Sequence, residues 1–540
     1  MTGFSDSAQQ MSLVAFIAVA TVTLLLCVMT GPDRDDLAEF YTGYRSLSPM
    51  RNGLAVAGDY ISAATVLGTV GVISLTGYDG VVLALSTALS LVLLMFLLAE
   101  PLRNAGRFTM GDAFTRRAPS RAVRITASAV TLAALLPMMV VQLSGAGHLL
   151  SFILGFDGSG FRTGSIVLLG VLMISYAAVG GMKGTALIQI IKTVFLLGTG
   201  VILAALILDR FDWSTAQLIG AAKTGSGAGD AYLRSGLQFG GSELDMISSE
   251  LTVVLGAAGL PHITMRMYSS RDALAVRRSM SWAVSAVVCF CLLITVIGFG
   301  AAALAGRGTI TASDPQGNTA ILLVGQALAG GDASALETLV FTSVTTAIFL
   351  TLLASVAGMI LACANSLAHD LFAHGIRTSP ARDGTEMALA RAAAIGVGIP
   401  AIGLAVLARD WNVQPLVTLS FCIGASALAP ALVFSLFWRR FTRAGLMCTL
   451  IGGTVCVMIL MTGTNLVSGS PHSVFPAQDF NWYPFTTTGL VSIPFGFLMG
   501  WLGSVLSRRG GGSADRQRRR YEAVEAWILA GAGGGGPTGK

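Results

Sequence analysis

Residues 58–71 read GDYISAATVLGTVG, a stretch inside an apolar run long enough to cross a bilayer that nonetheless holds an acid, Asp59, and three glycines, Gly58, Gly68 and Gly71. A charge in hydrocarbon is costly, and glycine weakens a helix interior. Irregular backbone at membrane depth survives only where it is buried in protein or lines a cavity. The stretch therefore reads as a broken membrane span whose freed backbone carbonyls are available to a ligand.

The rest of the chain supports a membrane setting. Of 540 residues, 54% are hydrophobic and 11% charged, against about 25% charged in a typical soluble protein, and the mean hydropathy is +0.73. A span needs about 20 mostly apolar residues. Thirteen segments qualify: 10–30, 53–75, 80–99, 125–151, 164–182, 186–208, 246–265, 281–305, 335–369, 392–408, 413–437, 445–463 and 486–507. The fold class is all-α integral membrane. The ninth segment exceeds one straight crossing, so it tilts or runs past the bilayer.

Orientation follows from basic residues. Loops after odd-numbered segments, with the C-terminal tail, carry 28 of the 34 Lys and Arg, and the remaining loops carry 6. Positive charge marks the inner side, which puts the N-terminus outside and the C-terminus in the cytoplasm of a multi-pass cell-membrane protein. The net charge of +6 is then a topology signal, and nucleic-acid binding is not needed to explain it. The tail carries Arg516, Arg518, Arg519 and Arg520, then Tyr521 to Leu529. It reads either as a short helix on anionic headgroups or as a solvated chain. Cys27, Cys289, Cys291, Cys363, Cys422, Cys448 and Cys456 fall in apolar segments without metal spacing and read as small core residues. The hydrophilic stretches around 209–245 and 306–334 hold no nucleophile elbow, zinc motif or phosphate loop, so an enzyme is not expected.

A second interruption, LGAAGLPH at 255–262, places Gly256, Gly259 and Pro261 in the seventh segment. Paired interruptions at matching places in two halves are the sequence signature of secondary transporters built from repeats. The spacing of five segments gives two five-helix repeats, spans 2–6 and 7–11, and because five is odd the second enters the membrane inverted. The expected organisation is a first span and inner loop (1–52), a first repeat (53–208), an outer loop (209–245), a second repeat (246–437), two additional spans (438–507) and a basic, Gly-rich tail (508–540).

The motifs NGLAVAGDYISAATVLG (52–68), GYDG (77–80), GGMKGTALIQIIK (180–192), GLPHITMR (259–266) and RDALAVRRS (271–279) stand in order. Together they resemble the sodium:solute symporters, most closely the cation/acetate (monocarboxylate) branch, from about Phe40 to Trp501. The resemblance implies the five-plus-five inverted-repeat core and sodium-coupled uptake of a short monocarboxylate such as acetate, propionate or pyruvate. It implies a co-transported Na+ between the second and ninth spans, on the carbonyls of Gly58, Ile61 and Thr351 and the hydroxyl of Ser355. Many relatives carry two adjacent hydroxyl residues there, whereas this chain has Ala354 before Ser355. That departure leaves weaker sodium binding, a substitute oxygen or proton coupling open.

Thr65 and His262 match positions that contact or gate solute in the family. Gln142 is a further substrate candidate, with a helix–helix hydrogen bond as its alternative. Asp59 either contacts the cation or serves the structure, and Glu250 reads as a solvated vestibule residue. Asn365, His369 and Asp370 read as a structural end to the ninth span. No Lys or Arg is assigned to the middle of the core, so helix N-termini and neutral donors are expected to attract the solute carboxylate. The expected partners are a small organic anion and the lipid bilayer. The rival readings are a proton-coupled carrier using Asp59, a symporter for another solute, and a transporter-like membrane sensor.

Overall fold

A bilayer offers the backbone no hydrogen-bond partners, so each apolar segment must satisfy its own polar groups as a helix. The computed structural model of the chain describes residues 6–32, 37–156, 158–329, 335–376, 383–409, 411–470 and 473–508, and in the tail 519, 521–522, 525–526 and 528–529. Arg516, Arg518 and Arg520 lie outside the described residues. Among the described residues the protein is helical, with a single isolated bridge between Ser468 and Phe475.

Among the described residues ten helices are long and apolar enough to span a membrane, and two bent pairs supply one more span each. The helix Ser159–Arg210, with 52 residues, is broken at Gly181 (φ 53°, ψ −155°) and is long enough for two spans. Thirteen spans result, matching the sequence count. A positive φ at Gly181 suits only glycine. At Gly180 an added Cβ would lie 2.6 Å from Cys27 Sγ of the first span. The paired glycines thus turn the chain and admit the first span.

The second span is Pro49–Tyr60 and Ala63–Thr76, bent by 61°. Ile61 and Ser62 between them are extended (ψ 93° and 167°). Ser62 restarts the helix, its Oγ accepting from the Thr65 amide at 3.2 Å, which satisfies a donor that the new helix would leave unpaired. The seventh span is Glu243–Gly259 and Pro261–Ser269, bent by 41°. Leu260 is extended there (ψ 131°), and Pro261 opens the second piece, a position where the missing N–H costs nothing.

The two repeats share a packing relation. A Cβ at Gly58 would lie 2.7 Å from the Gln189 carbonyl and 2.8 Å from Thr193 Oγ1, both on the sixth span. A Cβ at Gly256 would lie 2.3 Å from the Phe421 carbonyl, and one at Gly424 would lie 2.6 Å from the Gly256 carbonyl, with Phe421 and Gly424 on the eleventh span (Gln414–Phe437). In each repeat the first helix leans through a glycine on the fifth helix, just before the break. Gly58 itself lies within regular helix, and this close approach accounts for it better than helix weakening does.

A methyl group at Gly256 would press on backbone that cannot rotate away. Gly256→Ala is therefore expected to cost about 1–3 kcal/mol, read as a lowered midpoint of thermal unfolding of the purified protein. Gly68→Ala is the control, because a Cβ there meets nothing within 4 Å. Its midpoint should hold or rise slightly.

The ninth span sits at the centre. It runs from Ala335 through Asn365 and continues as a π-helical turn, Ser366–Ile376, so it extends past a single crossing. Its most apolar stretch is wholly buried, whereas only 22% of the first span's is. The first span exposes Leu25, Val28 and Met29, as a lipid-facing helix should. Of the cysteines, Cys27, Cys291, Cys363 and Cys422 are buried core residues, but Cys289 is exposed and Cys448 and Cys456 are half-buried.

Loops gather at two ends. At one, the fully buried Asp79 of GYDG accepts from the amides of Gly236 (2.8 Å) and Gln238 (2.7 Å), clasping the long loop over the second span's exit. At the other, Arg117 donates to the Phe441 carbonyl (3.0 Å) and stacks on Tyr521 at 4.0 Å, while Asn104 donates to the Ile528 carbonyl (3.1 Å). Tyr521 and Ile528 are buried. The described part of the tail is therefore docked on the protein and not solvated; the headgroup reading turns on arginines outside the described residues. Burial raises the Tyr521 phenol to about 12.

Candidate functional site

Where a helix stops, its last carbonyls lose their backbone donors. Gly58 lies in the final turn before the break of the second span, and its carbonyl accepts from Lys192 Nζ at 2.6 Å. The same ammonium donates to Ser355 Oγ of the ninth span at 3.0 Å. Asp59 is next in the chain. Its Oδ1 accepts from Gln189 Nε2 at 2.6 Å, and its Oδ2 pairs with the Nε of Arg266. Gln189 Nε2 also donates to the Ala354 carbonyl at 2.9 Å. Lys192 and Arg266 are each 1% exposed, Asp59 3% and Gln189 0%. Gly358 makes room for the carboxylate, since a Cβ there would lie 2.7 Å from Asp59 Oδ1.

This arrangement corrects the expectation of a core without mid-membrane cations. The loop count had placed Lys192 and Arg266 among inner basic residues, although Lys192 falls within the sixth span and Arg266 just after the break of the seventh. Each has a signal in the sequence. Lys192 interrupts an apolar window, and Arg266 follows Pro261 by little more than one turn. What the sequence lacks is their meeting with Asp59, which is 207 residues from Arg266. Both oxygens of Asp59 are engaged by protein, so its visible work is to hold the second, sixth and seventh spans together.

The structure brings Gly58 and Ser355 together on Lys192. Ile61 sits at the break, its amide donating to the Ala57 carbonyl at 2.9 Å. Thr351 is buried one turn before Ser355, and its hydroxyl donates within its own helix to the Ala347 carbonyl at 2.6 Å. Its carbonyl, rather than its side chain, is what the expectation concerns.

Among the solute candidates, Thr65 is half-buried with its hydroxyl 3.1 Å from Ser62 Oγ. His262 is buried just past the break, its Nδ1 lacks a hydrogen-bond partner, and Asp59, Arg266 and Lys192 are all within electrostatic reach. Gln142 is 2% exposed, and neither end of its amide has a partner. The helix–helix hydrogen bond offered as its alternative is not made. A buried amide is costly to leave unsatisfied, so Gln142 and His262 are available to a ligand. The fourth span that carries Gln142 (Arg121–Leu154) packs on the ninth. Glu250 is half-buried with one carboxylate oxygen unpartnered, and is not the solvated vestibule residue expected.

A second polar cluster closes the inner end. His369 meets Asp112 at 3.1 Å and Glu386 at 2.7 Å. Asp370 accepts from Arg124 and Thr109, both at 2.9 Å, and Arg124 also pairs with Asp112 at 2.9 Å. Donor atoms of Asp112, His369 and Asp370 lie within 4.8 Å of one another, a spacing a metal could use, but Arg124 already supplies the countercharge. Asn365 Nδ2 lies 3.5 Å from Met265 Sδ. These bonds tie the ninth span to the third loop and to the fourth and tenth spans, as a structural end would. Burial works against ionisation of Asp112, but His369, Arg124 and the Phe108 amide outweigh it and hold the carboxyl well below the usual carboxylate range.

Similarities to known proteins agree with this geometry. A profile of the sodium:solute symporter family matches residues 40–453. A monocarboxylic acid transporter of Corynebacterium glutamicum is 34% identical over 532 residues, covering 96% of this chain and 94% of its own. An uncharacterized symporter of Bacillus subtilis, YwcA, is 36% identical over 493 residues, with 91% and 93% covered. Among solved structures, the substrate-bound outward-open state of a Na+-coupled sialic acid symporter superposes with a TM-score of 0.70 at 15% identity, covering 93% of this chain and 98% of that one. A nucleobase-cation-symport-1 family transporter with bound bromovinylhydantoin gives 0.54 at 13% identity, with 91% and 99% covered. At such identities the likeness is one of fold.

Proposed function

Because the chain belongs to the sodium:solute symporter family, we propose that it imports a short monocarboxylate such as acetate, propionate or pyruvate, in symport with a cation and by alternating access. The observation that carries this reading is the buried cluster at the second span's break. There an ammonium and a guanidinium stand against one carboxylate, with the unpartnered Nδ1 of His262 just past the matching break; Gln142, whose amide has no partner, comes from the fourth span, which packs on the ninth. An excess of positive charge in a closed site suits a solute with a single carboxylate. The name of the Corynebacterium glutamicum relative supports the same solute class.

The two repeats, assigned to 53–208 and 246–437, rock about the broken second and seventh spans, with the N-terminus outside and the tail in the cytoplasm. The solute site is assigned to Thr65, Gln142 and His262. The position that the resemblance gives to a co-transported sodium, at Gly58, Ile61, Thr351 and Ser355, is where the Lys192 ammonium already meets two of the four residues, so which cation is coupled is a separate question from the solute.

Gln142→Ala removes a donor to a charged ligand, worth about 1.5–3 kcal/mol, and His262→Ala removes a buried polar ring whose Nδ1 has no partner. Each is expected to weaken acetate binding to the purified protein by about tenfold or more. Unchanged acetate affinity in both variants would remove the solute site from this position.

A further inference from the structure

The family places a sodium ion between the carbonyls of a broken helix and a hydroxyl on the ninth span. Here that gap is bridged by a side chain, with Lys192 Nζ 2.6 Å from the Gly58 carbonyl and 3.0 Å from Ser355 Oγ. We propose that the Lys192 ammonium is a tethered cation that takes the sodium position, so that the second and ninth spans close around the solute without sodium bound between them. The proposal rests on the reading of the chain as a symporter and concerns which cation fills this position.

Three observations carry it. First, the ammonium matches sodium in charge and in its demand for oxygen, and it uses the same two partners. Lysine offers three donors and no acceptor, so a carbonyl at a helix C-terminus and a hydroxyl are suitable neighbours. Second, it explains Ala354. A sodium ion needs several oxygens, and the position beside Ser355 offers no hydroxyl. The Ala354 carbonyl is engaged by Gln189 at 2.9 Å. An ammonium that arrives on its own helix needs fewer ligands, because its position is fixed covalently.

Third, the packing delivers it. The sixth span can approach the second this closely only because Gly58 has no side chain, its Cβ position lying 2.7 Å from the Gln189 carbonyl. Lys192 is the residue that this contact buries, at 1% exposure. The charged and titratable groups around it are Asp59, Arg266 and His262. Asp59 is already paired with Arg266, and among the described residues around Lys192 no second carboxylate stands ready to accept an added cation. Like charges about 4 Å apart in such surroundings repel enough to lower affinity by about a thousandfold. Sodium and the ammonium therefore exclude each other.

The test is binding of labelled sodium to the full-length purified protein at fixed pH, with choline as the replacement ion. The wild type is expected to show no saturable sodium binding. Lys192→Ala should gain sodium affinity by about tenfold or more, and the gain should vanish when Ser355→Ala is added. Lys192→Met, which keeps the stem and loses the charge, is the companion variant should Lys192→Ala fail to fold. Saturable sodium binding by the wild type that Ser355→Ala abolishes would overturn the proposal. So would the absence of sodium binding in every Lys192 variant that folds, since the lysine would then be standing in for nothing.

Acetate binding provides the second arm. Wild-type affinity should be the same in sodium and in choline to within about twofold, and a tenfold loss in choline would contradict the proposal. Acetate binding in neither medium would overturn the monocarboxylate reading alone, because the sodium measurements decide the cation question without any solute.

Discussion

Asp59→Ala is expected to abolish transport and to destabilise the folded protein by about 3–5 kcal/mol, the cost of leaving a buried charge without its partner. The carboxylate is 3% exposed and meets Gln189 on one oxygen and Arg266 on the other. Removing it strands a guanidinium that is 1% exposed, in a place water reaches poorly. Arg266→Gln should be damaging for the mirror-image reason. Combining Asp59→Asn with Arg266→Gln should cost less than the two single changes together, because neither charge is then left alone. The checks are denaturation midpoints in detergent and uptake into proteoliposomes. A stable Asp59→Ala protein that transports at the wild-type rate would show that the pair does not hold the spans together.

Asp370→Ala is the second large effect. Asp370 is fully buried and accepts from Arg124, Thr109 and Ser366, joining the third loop to the end of the ninth span. Hydrogen bonds to a charged group contribute about 1.5–3 kcal/mol each, but Arg124 is 17% exposed and water will recover part of the loss. A net cost of about 2–3 kcal/mol is expected, together with faster labelling of a cysteine introduced near the inner loops. Asp112 supplies one part of the pH dependence of this end. Its carboxyl is held below its unfolded value near 4, so its contribution is fully present above that value and is lost as pH falls below it. The contribution of Asp112 should therefore hold through neutral and mildly acidic pH and fade only in strong acid. The Asp112→Asn protein should lose that acid dependence.

Span number and order were legible in the sequence because the requirement for about 20 apolar residues is imposed by the bilayer and not by tertiary context. Both breaks were legible for a similar reason, since Pro261 and the glycine clusters are local signals. The paired glycines at 180–181 stand in the GGMKG motif, but their work, a turn at Gly181 (φ 53°) and close packing of Gly180 on Cys27 of the first span, depends on a residue 153 positions earlier.

The charged cluster was the larger gap. Positive-inside counting treats each Lys and Arg as a loop residue, and this hid Lys192 and Arg266, whose partners come from distant spans. Asp59 drew attention because an acid in an apolar run is rare, yet its role depended on a guanidinium that a helix break brings to it. Gly58 shows the reverse error. Its position near a break suggested backbone flexibility, whereas close approach of the sixth span is what excludes a side chain there.

The most direct measurement is uptake of labelled acetate and pyruvate into proteoliposomes, with an imposed sodium gradient compared with an imposed proton gradient. Protein-free vesicles serve to subtract entry of the uncharged acid. The account predicts saturable, gradient-driven accumulation that propionate inhibits and that persists when choline replaces sodium on both sides. Accumulation only under a sodium gradient would contradict the tethered-cation assignment of Lys192, and no uptake above protein-free vesicles under either gradient would contradict monocarboxylate symport itself.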